Sequence, residues 1–272
     1  MLTWERVKMT NWRALAERLS FRDTGHGYDV FGLKPQWVGH SVEVLRHVYE
    51  KWFRVTSHDA HHVPTEGAGI LASNHSGTLP VDGVMIYLDV LKHTEPPRIA
   101  RPIADHFVSM LPFIGTYYAR VGVVGGSRGN FRQLLEQGEL LMVFPEGVPG
   151  ISKPFSERYK LRKWRVGHVE LAIRYQVPVI PVAVIGAEEQ MPQFARLPIR
   201  MFGAPFLPLF FPPIPLPVHY HIYYGEPIAF HERYAPEQAD EPDILRLAAD
   251  EVQAAVQALI ERGLSEREGV FR

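Results

Sequence analysis

The sequence predicts an α/β fold in a single domain, on three observations. Beyond Phe53, short apolar runs bounded by turn residues alternate with stretches of helical periodicity. The chain has 272 residues, 46% of them hydrophobic, which is enough to bury a full core. A C-terminal stretch from Asp243 to Arg262 places Leu245, Ala248, Val252, Val256, Leu259 and Ile260 on one helical face.

The elements follow in order. Residues 1–56 read as an N-terminal amphipathic helical segment and 57–272 as the α/β domain. In the first segment, Trp4, Val7, Trp12, Leu15 and Leu19 recur at helical spacing among Arg6, Lys8, Arg13 and Arg18. Such a helix either lies on an anionic membrane or packs on the domain. A second amphipathic helix is expected beyond Pro35, carrying Trp37, Val38, Leu45, Val48, Trp52 and Phe53. Strands are expected over Gly69–Ser73, Tyr117–Val124, Leu140–Phe144, Val179–Ile185 and Val218–Tyr224. Helices are expected over Val81–Lys92, Asn130–Glu136, Val166–Tyr175 and Asp243–Arg262, with Gly263 placed to stop the last.

Composition narrows the function classes. A formal net charge of −1 supplies no field that would attract a phosphate polymer, so nucleic acid is not an expected partner. Zero cysteines exclude a thiolate nucleophile, an acyl-cysteine intermediate and a thiolate zinc site. The first residues carry no apolar signal region, which places the expected location on the cytoplasmic side. The longest uncharged stretch, Met201–Pro217, is interrupted by prolines at 205, 208, 212, 213, 215 and 217 and does not read as a membrane-spanning helix.

Two clusters carry chemistry. In Ser73-Asn74-His75-Ser76-Gly77-Thr78-Leu79-Pro80-Val81-Asp82-Gly83, His75 falls just past a strand's C-terminal end, where open α/β sheets place ligands. Thr78 is the expected N-cap of the next helix, Pro80 suits its first turn, and Asp82 lies in that turn. An aspartate there can accept the proton of one imidazole nitrogen and leave the other as a base. The second cluster, Phe144-Pro145-Glu146-Gly147, ends another expected strand.

Together these clusters resemble the glycerolipid acyltransferases. Four blocks match in order, covering roughly residues 65–190. The family's first block has four residues between His and Asp, and here Asn74-His75 is followed by Asp82 after six. The second runs from a Pro-aromatic-x-Gly turn to an arginine, matched by Pro112-Phe113-Ile114-Gly115, Gly122 and Arg128, with Arg120 as the rival arginine. The third is Phe144 to Gly147, although the family's following Thr or Ser and Arg are replaced by Val148 and Pro149. The fourth is Val177-Pro178-Val179-Ile180-Pro181-Val182. His-Ser-Gly-x-Leu-Pro-x-Asp-Gly, together with Val184 to Glu189, is similar to a bacterial lysophospholipid acyltransferase subgroup and to neutral-lipid acyltransferases.

The resemblance implies a mixed, mostly parallel sheet flanked by helices. It implies direct acyl transfer from acyl-CoA or an acyl-carrier protein to a glycerolipid hydroxyl, with 1-acylglycerol-3-phosphate as the expected acceptor and other lysophospholipids or neutral glycerides as alternatives. His75 is the expected base, oriented by Asp82. Arg128 or Arg120 would hold the acceptor's phosphate, and Glu146 with Gly147 its polar head. No metal and no bound cofactor are expected; His58, His61 and His62 form the one histidine group that suggests zinc, in a polar link. Phe206, Leu209, Phe210 and Phe211 lie in a Pro-rich loop that either lines an acyl channel, dips into a peripheral or monotopic membrane contact, or packs as an ordinary loop over the core. The basic run Lys153, Arg158, Lys160, Arg162, Lys163 and Arg165 either faces anionic headgroups or the donor's phosphates or is a solvated basic face.

Two other readings compete. Gly125-Gly126-Ser127-Arg128-Gly129 fits the Gly-x-Ser-x-Gly elbow of a serine hydrolase, although only Glu188 with His219 or His221 supplies acid and histidine in the required order. A non-catalytic lipid-binding protein is the other.

Overall fold

In the computed structural model, residues 10–76, 80–105, 112–151, 153–197 and 207–272 are described. Five adjacent parallel strands make up most of a mixed seven-stranded sheet. They are β2 (Gly69–Ser73), β3 (Ala100–Ala104), β4 (Val124–Gly125), β5 (Leu140–Val143) and β6 (Val179–Ile185). β9 (His221–Tyr224) runs antiparallel to β6, and β1 (Thr56–His58) is parallel to β9, giving the order β1-β9-β6-β2-β5-β3-β4. A hairpin of β7 (Gln193–Leu197) and β8 (Leu207–Phe210) stands apart from this sheet.

Every residue of β2 and of β6 is buried, because helices cover both faces; this is why both strands read as unbroken apolar runs. One face is covered by α1 (Trp12–Glu17), α2 (Pro35–His47) and α3 (Val81–His93). Trp12, Ala16, Val38 and Val42 share one core cluster with Leu71 of β2 and Met85, Leu88 and Leu91 of α3. The described part of the N-terminal segment is therefore packed on the domain, and Trp12 Nε1 donates to Glu50 at 2.7 Å. The other face is covered by α7 (Gly167–Tyr175) and α8 (Pro242–Glu266). Among the described residues no helix is long and apolar enough to cross a membrane.

Three expectations are corrected. Tyr117–Val124 is not a strand: Ile114–Arg120 forms helix α4, and only Val124–Gly125 pairs with β3. Its aromatic residues carry strand propensity, but the local i to i+4 bonds from Tyr117 N to Phe113 O and from Val121 N to Tyr117 O form instead. Gly263 does not stop α8, which continues to Glu266. A Cβ at Gly263 would lie 2.7 Å from Ile185 Cγ1 and 2.8 Å from Tyr223 Cε2, so the glycine is what lets the helix approach the sheet. The Pro-rich segment is not a free loop, since Leu207–Phe210 pairs antiparallel with Gln193–Leu197. Two further helices are α5 (Arg128–Glu136), whose Leu134 and Leu135 join the second core cluster, and the short α6 (Val148–Ile151).

Candidate active site

β2 and β5 are neighbours and parallel, so the loops at their C-terminal ends, carrying His75 and Glu146, meet on one rim of the sheet. Where β2 ends, Asn74 continues its pairing through the side chain. Asn74 Nδ2 donates to Val184 O at 3.1 Å, and Asn74 Oδ1 accepts from Val184 N at 2.8 Å. That clamp sets the path of the next residue, His75.

The six-residue gap between His75 and Asp82 closes. Pro80 is the N-cap of α3, Asp82 lies in its first turn, and the carboxylate turns back to the loop. His75 Nδ1 is 2.7 Å from Asp82 Oδ2, which also accepts from Ser76 N at 2.8 Å and Ser76 Oγ at 3.1 Å. Asp82 Oδ1 accepts from Gly83 N at 2.7 Å. With a carboxylate at that distance, Nδ1 carries the proton and Nε2 presents its lone pair. The expected cap residue, Thr78, lies outside the described residues.

Phe144 stacks on the imidazole with ring centroids 4.1 Å apart, leaving the His75 side chain 17% exposed beside a fully buried Asp82. Low exposure keeps water from competing for the pair. Tyr220 lies on the same buried side, and its hydroxyl has no partner among the described residues. Burial raises its pKa well above the ordinary phenol value, and the Asp82 charge adds to that.

Glu146 takes a different part from the one the sequence suggests. It is 1% exposed, and protein groups occupy its carboxylate. Oε1 lies 3.5 Å from His75 N, while Oε2 accepts from Arg162 N at 2.8 Å and is 3.5 Å from Lys153 Nζ. Glu146 thus ties the Phe144–Gly147 turn to the backbone of His75 and to the following basic segment. Lys153 also pairs with Glu188 at 3.2 Å; burial pushes the Glu188 carboxyl up to about 7 against the pull of that lysine. Gly147 adopts φ +59°, a left-handed conformation that favours glycine.

The two arginines stand elsewhere. Arg128 opens α5 beyond β4, its side chain 90% exposed and 3.7 Å from Glu170. β4 is two strand positions from β5, a separation of about 10 Å. Arg120, at the end of α4, donates to Gly32 O at 3.2 Å and lies 4.9 Å from the Tyr28 ring, committed to the N-terminal loop. Neither is brought into contact with His75 or Glu146 among the described residues. Phe206 lies outside the described residues. Leu209 is half-buried, Phe211 is 74% exposed, and Phe210 borders a cavity of about 30 Å³ with Lys153, Glu188 and Met191.

The Gly-x-Ser-x-Gly run is a helix start. Ser127 has ordinary extended dihedrals and its hydroxyl accepts from Asn130 N at 3.2 Å, capping α5. No described histidine bonds to it, and the strained strand-to-helix elbow that a serine hydrolase requires is not formed there. No group of three or more described His, Asp or Glu residues is arranged to hold a metal. His58 instead stacks on Tyr223 at 4.0 Å, with its Nε2 3.3 Å from His221 Nδ1.

Sequence reasoning missed the roles of Ser76, Phe144, Lys153 and Arg162. Phe144 was within the recognised motif and Lys153 and Arg162 within the basic run, but nothing in their spacing marked these contacts.

A buried histidine supports this rim from behind. His168 Nδ1 donates to Arg165 O at 2.9 Å, and Nε2 has no partner among the described residues. Burial pushes its pKa down from 6.5 to about 4. The unfolded chain then binds the proton that the native state refuses, so this contribution is complete above 6.5 and is lost as pH falls toward about 4. Urea midpoints measured across that interval should fall with acid, and His168→Gln should reduce the slope by up to about 1.4 kcal/mol per pH unit.

Residues 54–185 match the family model described as Acyltransferase. An uncharacterised protein of Mycobacterium bovis is 36% identical over 95% of this chain and 75% of its own length. A bovine protein named DGAT1/2-independent enzyme synthesizing storage lipids is 27% identical over 83% of this chain and 62% of its own. The crystal structure of the 1-acyl-sn-glycerophosphate acyltransferase of Thermotoga maritima shares the fold. It has a TM-score of 0.51 and 19% identity, covering 83% of this chain and 81% of that one. The chain belongs to the glycerolipid acyltransferase family.

Proposed function

We propose that the protein moves an acyl chain from an acyl thioester, acyl-CoA or an acyl-carrier protein, directly to a hydroxyl of a lysoglycerolipid, with 1-acylglycerol-3-phosphate as acceptor. The observation that carries this reading is the 2.7 Å contact of His75 Nδ1 with the buried Asp82 carboxylate, which leaves Nε2 as a base on the sheet's rim. Nε2 takes the acceptor's hydroxyl proton as that oxygen attacks the thioester carbon. Collapse of the tetrahedral adduct breaks the C–S bond, and the imidazolium returns the proton to the departing sulfur. The oxyanion needs donors at that point. Gly147 N is already spent on Phe144 O at 3.0 Å and Gly83 N on Asp82 Oδ1 at 2.7 Å, so the N–H groups of Val81 and Asp82 at the start of α3 are the better candidates.

An amphiphilic acceptor is met at a bilayer. Phe113 is 91% exposed and lies beside exposed Ile114 and Tyr117, and Tyr117 sits 6.2 Å from the ring of exposed Trp37 on α2. This aromatic patch has the composition of an interfacial contact. Flotation with anionic vesicles should recover the wild type in the lipid fraction and much less of Phe113→Asp with Trp37→Ser; equal recovery would remove the patch from the membrane contact.

A neutral acceptor is favoured by one fact, the storage-lipid name of the bovine relative. Lipid mass spectrometry of the purified protein with acyl-CoA and acyl-carrier donors decides among the acceptors. Lysophosphatidate, other lysophospholipids, monoacylglycerol and diacylglycerol are offered side by side. Acylated lysophosphatidate is the expected main product, and no acylated lipid with any pair would sink the proposal.

A further inference from the structure

The Phe144–Gly147 turn has an arginine at its far end. Gly147 N donates to Phe144 O at 3.0 Å, a four-residue turn whose ends lie within about 7 Å of each other. The first end stacks on His75. Over the other end lies the guanidinium of Arg165. A Cβ added at Gly147 would be 3.1 Å from Arg165 Cζ, 3.2 Å from Nη2 and 3.3 Å from Nε. Arg165 N donates to Pro145 O at 3.0 Å, which fixes the approach of that segment to the turn. Glycine at 147 is therefore required twice, for its positive φ and for the space the guanidinium fills.

Arg165 is exposed, and none of its side-chain donors finds an acceptor among the described residues. Its neighbours in the basic run differ. Arg162 pairs with Glu157, Arg158 is 3.6 Å from Glu189, and Lys153 is buried between Glu146 and Glu188. Lys160 and Lys163 have no recorded contact with the turn. The adjacent Glu146 does not neutralise Arg165, because its oxygens are held by Arg162 N, Lys153 and the backbone of His75. Pro149 gives the turn no cation of its own, and Arg128 stands at β4 beside Glu170.

We propose that Arg165 binds a substrate phosphate beside His75, an inference that rests on the acyl-transfer reading above. An exposed guanidinium can grip a phosphate through two parallel N–H bonds. In a lysophosphatidate the free hydroxyl and the phosphorus are a few bonds apart, which fits a base and a cation at the two ends of one tight turn. The donor's coenzyme A also carries phosphates, so the same chemistry has two possible sources.

Calorimetric titration of wild type, Arg165→Leu and Arg165→Lys with glycerol 3-phosphate, and separately with coenzyme A, reads the site without turnover. Arg165→Leu is expected to bind one of these ligands about 10- to 100-fold more weakly, with Arg165→Lys in between because it keeps the charge and loses the fork. A difference confined to glycerol 3-phosphate assigns the guanidinium to the acceptor, and one confined to coenzyme A assigns it to the donor. In the acceptor case the KM for lysophosphatidate rises by the same factor at unchanged kcat, while the KM for monoacylglycerol does not move. Thermal melts of both variants check that this exposed position leaves the fold intact. Equal affinities of wild type and Arg165→Leu for both ligands, or no binding by the wild type, would overturn the assignment. Loss of the phosphate affinity in Arg165→Leu with no acyl transfer by the wild type would instead overturn the acyltransfer reading and leave Arg165 in place.

Discussion

His75→Ala should lower the rate of acyl transfer by about 10²–10⁴-fold, the range over which a positioned general base contributes. The loss should appear in kcat, since the alanine leaves the rest of the rim in place. Asp82 would still accept from Ser76 N, Ser76 Oγ and Gly83 N, so the buried carboxylate keeps three donors after the imidazole is gone. One hydrogen bond is lost, worth about 1 kcal/mol, and the melting temperature should fall only slightly. A radiolabelled acyl-CoA assay beside a thermal melt separates the two effects. Ser127→Ala removes a helix cap and no reacting group, and it is the matched control that keeps most of the activity. If His75→Ala turned over at the wild-type rate, another group would have to be the base.

Asp82→Asn should be nearly as damaging and for a different reason. The carboxylate is an acceptor only, facing His75 Nδ1, Ser76 N and Ser76 Oγ with one oxygen and Gly83 N with the other. A carboxamide must turn its NH₂ toward one of those donor sets. Pointed at His75 it donates to Nδ1, moves the ring proton to Nε2 and removes the base; pointed at Gly83 it sets donor against donor. A loss of about 10²–10⁴-fold in kcat follows, together with about 1–3 kcal/mol of stability for the buried group left poorly paired. Urea unfolding and initial rates on the same preparation measure both. An Asp82→Asn protein with native turnover would show that the 2.7 Å contact does not orient the base.

How far the sequence carried depended on what decided each element. β2 and β6 were legible to the residue because both faces are buried, so their residues are nearly all apolar. α8 was legible on its face but not at its end, because Gly263 serves the contact with Ile185 and Tyr223 rather than the termination that glycine usually signals. β3 was hidden by Pro102 and by Arg101, whose guanidinium is fully buried 2.7 Å from Asp29, a partner 72 residues away. Within the site, residue types pointed to His75 and Asp82, but only the fold back from Pro80 shows that their longer spacing closes. The contacts of Glu146 with Arg162 N and Lys153, and the place of Arg165 within the basic run, were not legible because they join segments distant in sequence. No local pattern encodes which acid a lysine will neutralise or which arginine will remain free.

The central claim is direct transfer at His75, and it is tested most directly by rapidly mixing the purified protein with acyl-CoA, with and without lysophosphatidate, and reading free thiol and intact protein mass together. The account predicts no thiol burst and an unmodified protein mass without acceptor, and thiol release matched by phosphatidate when acceptor is present. A stoichiometric burst with the protein heavier by one acyl chain would contradict it.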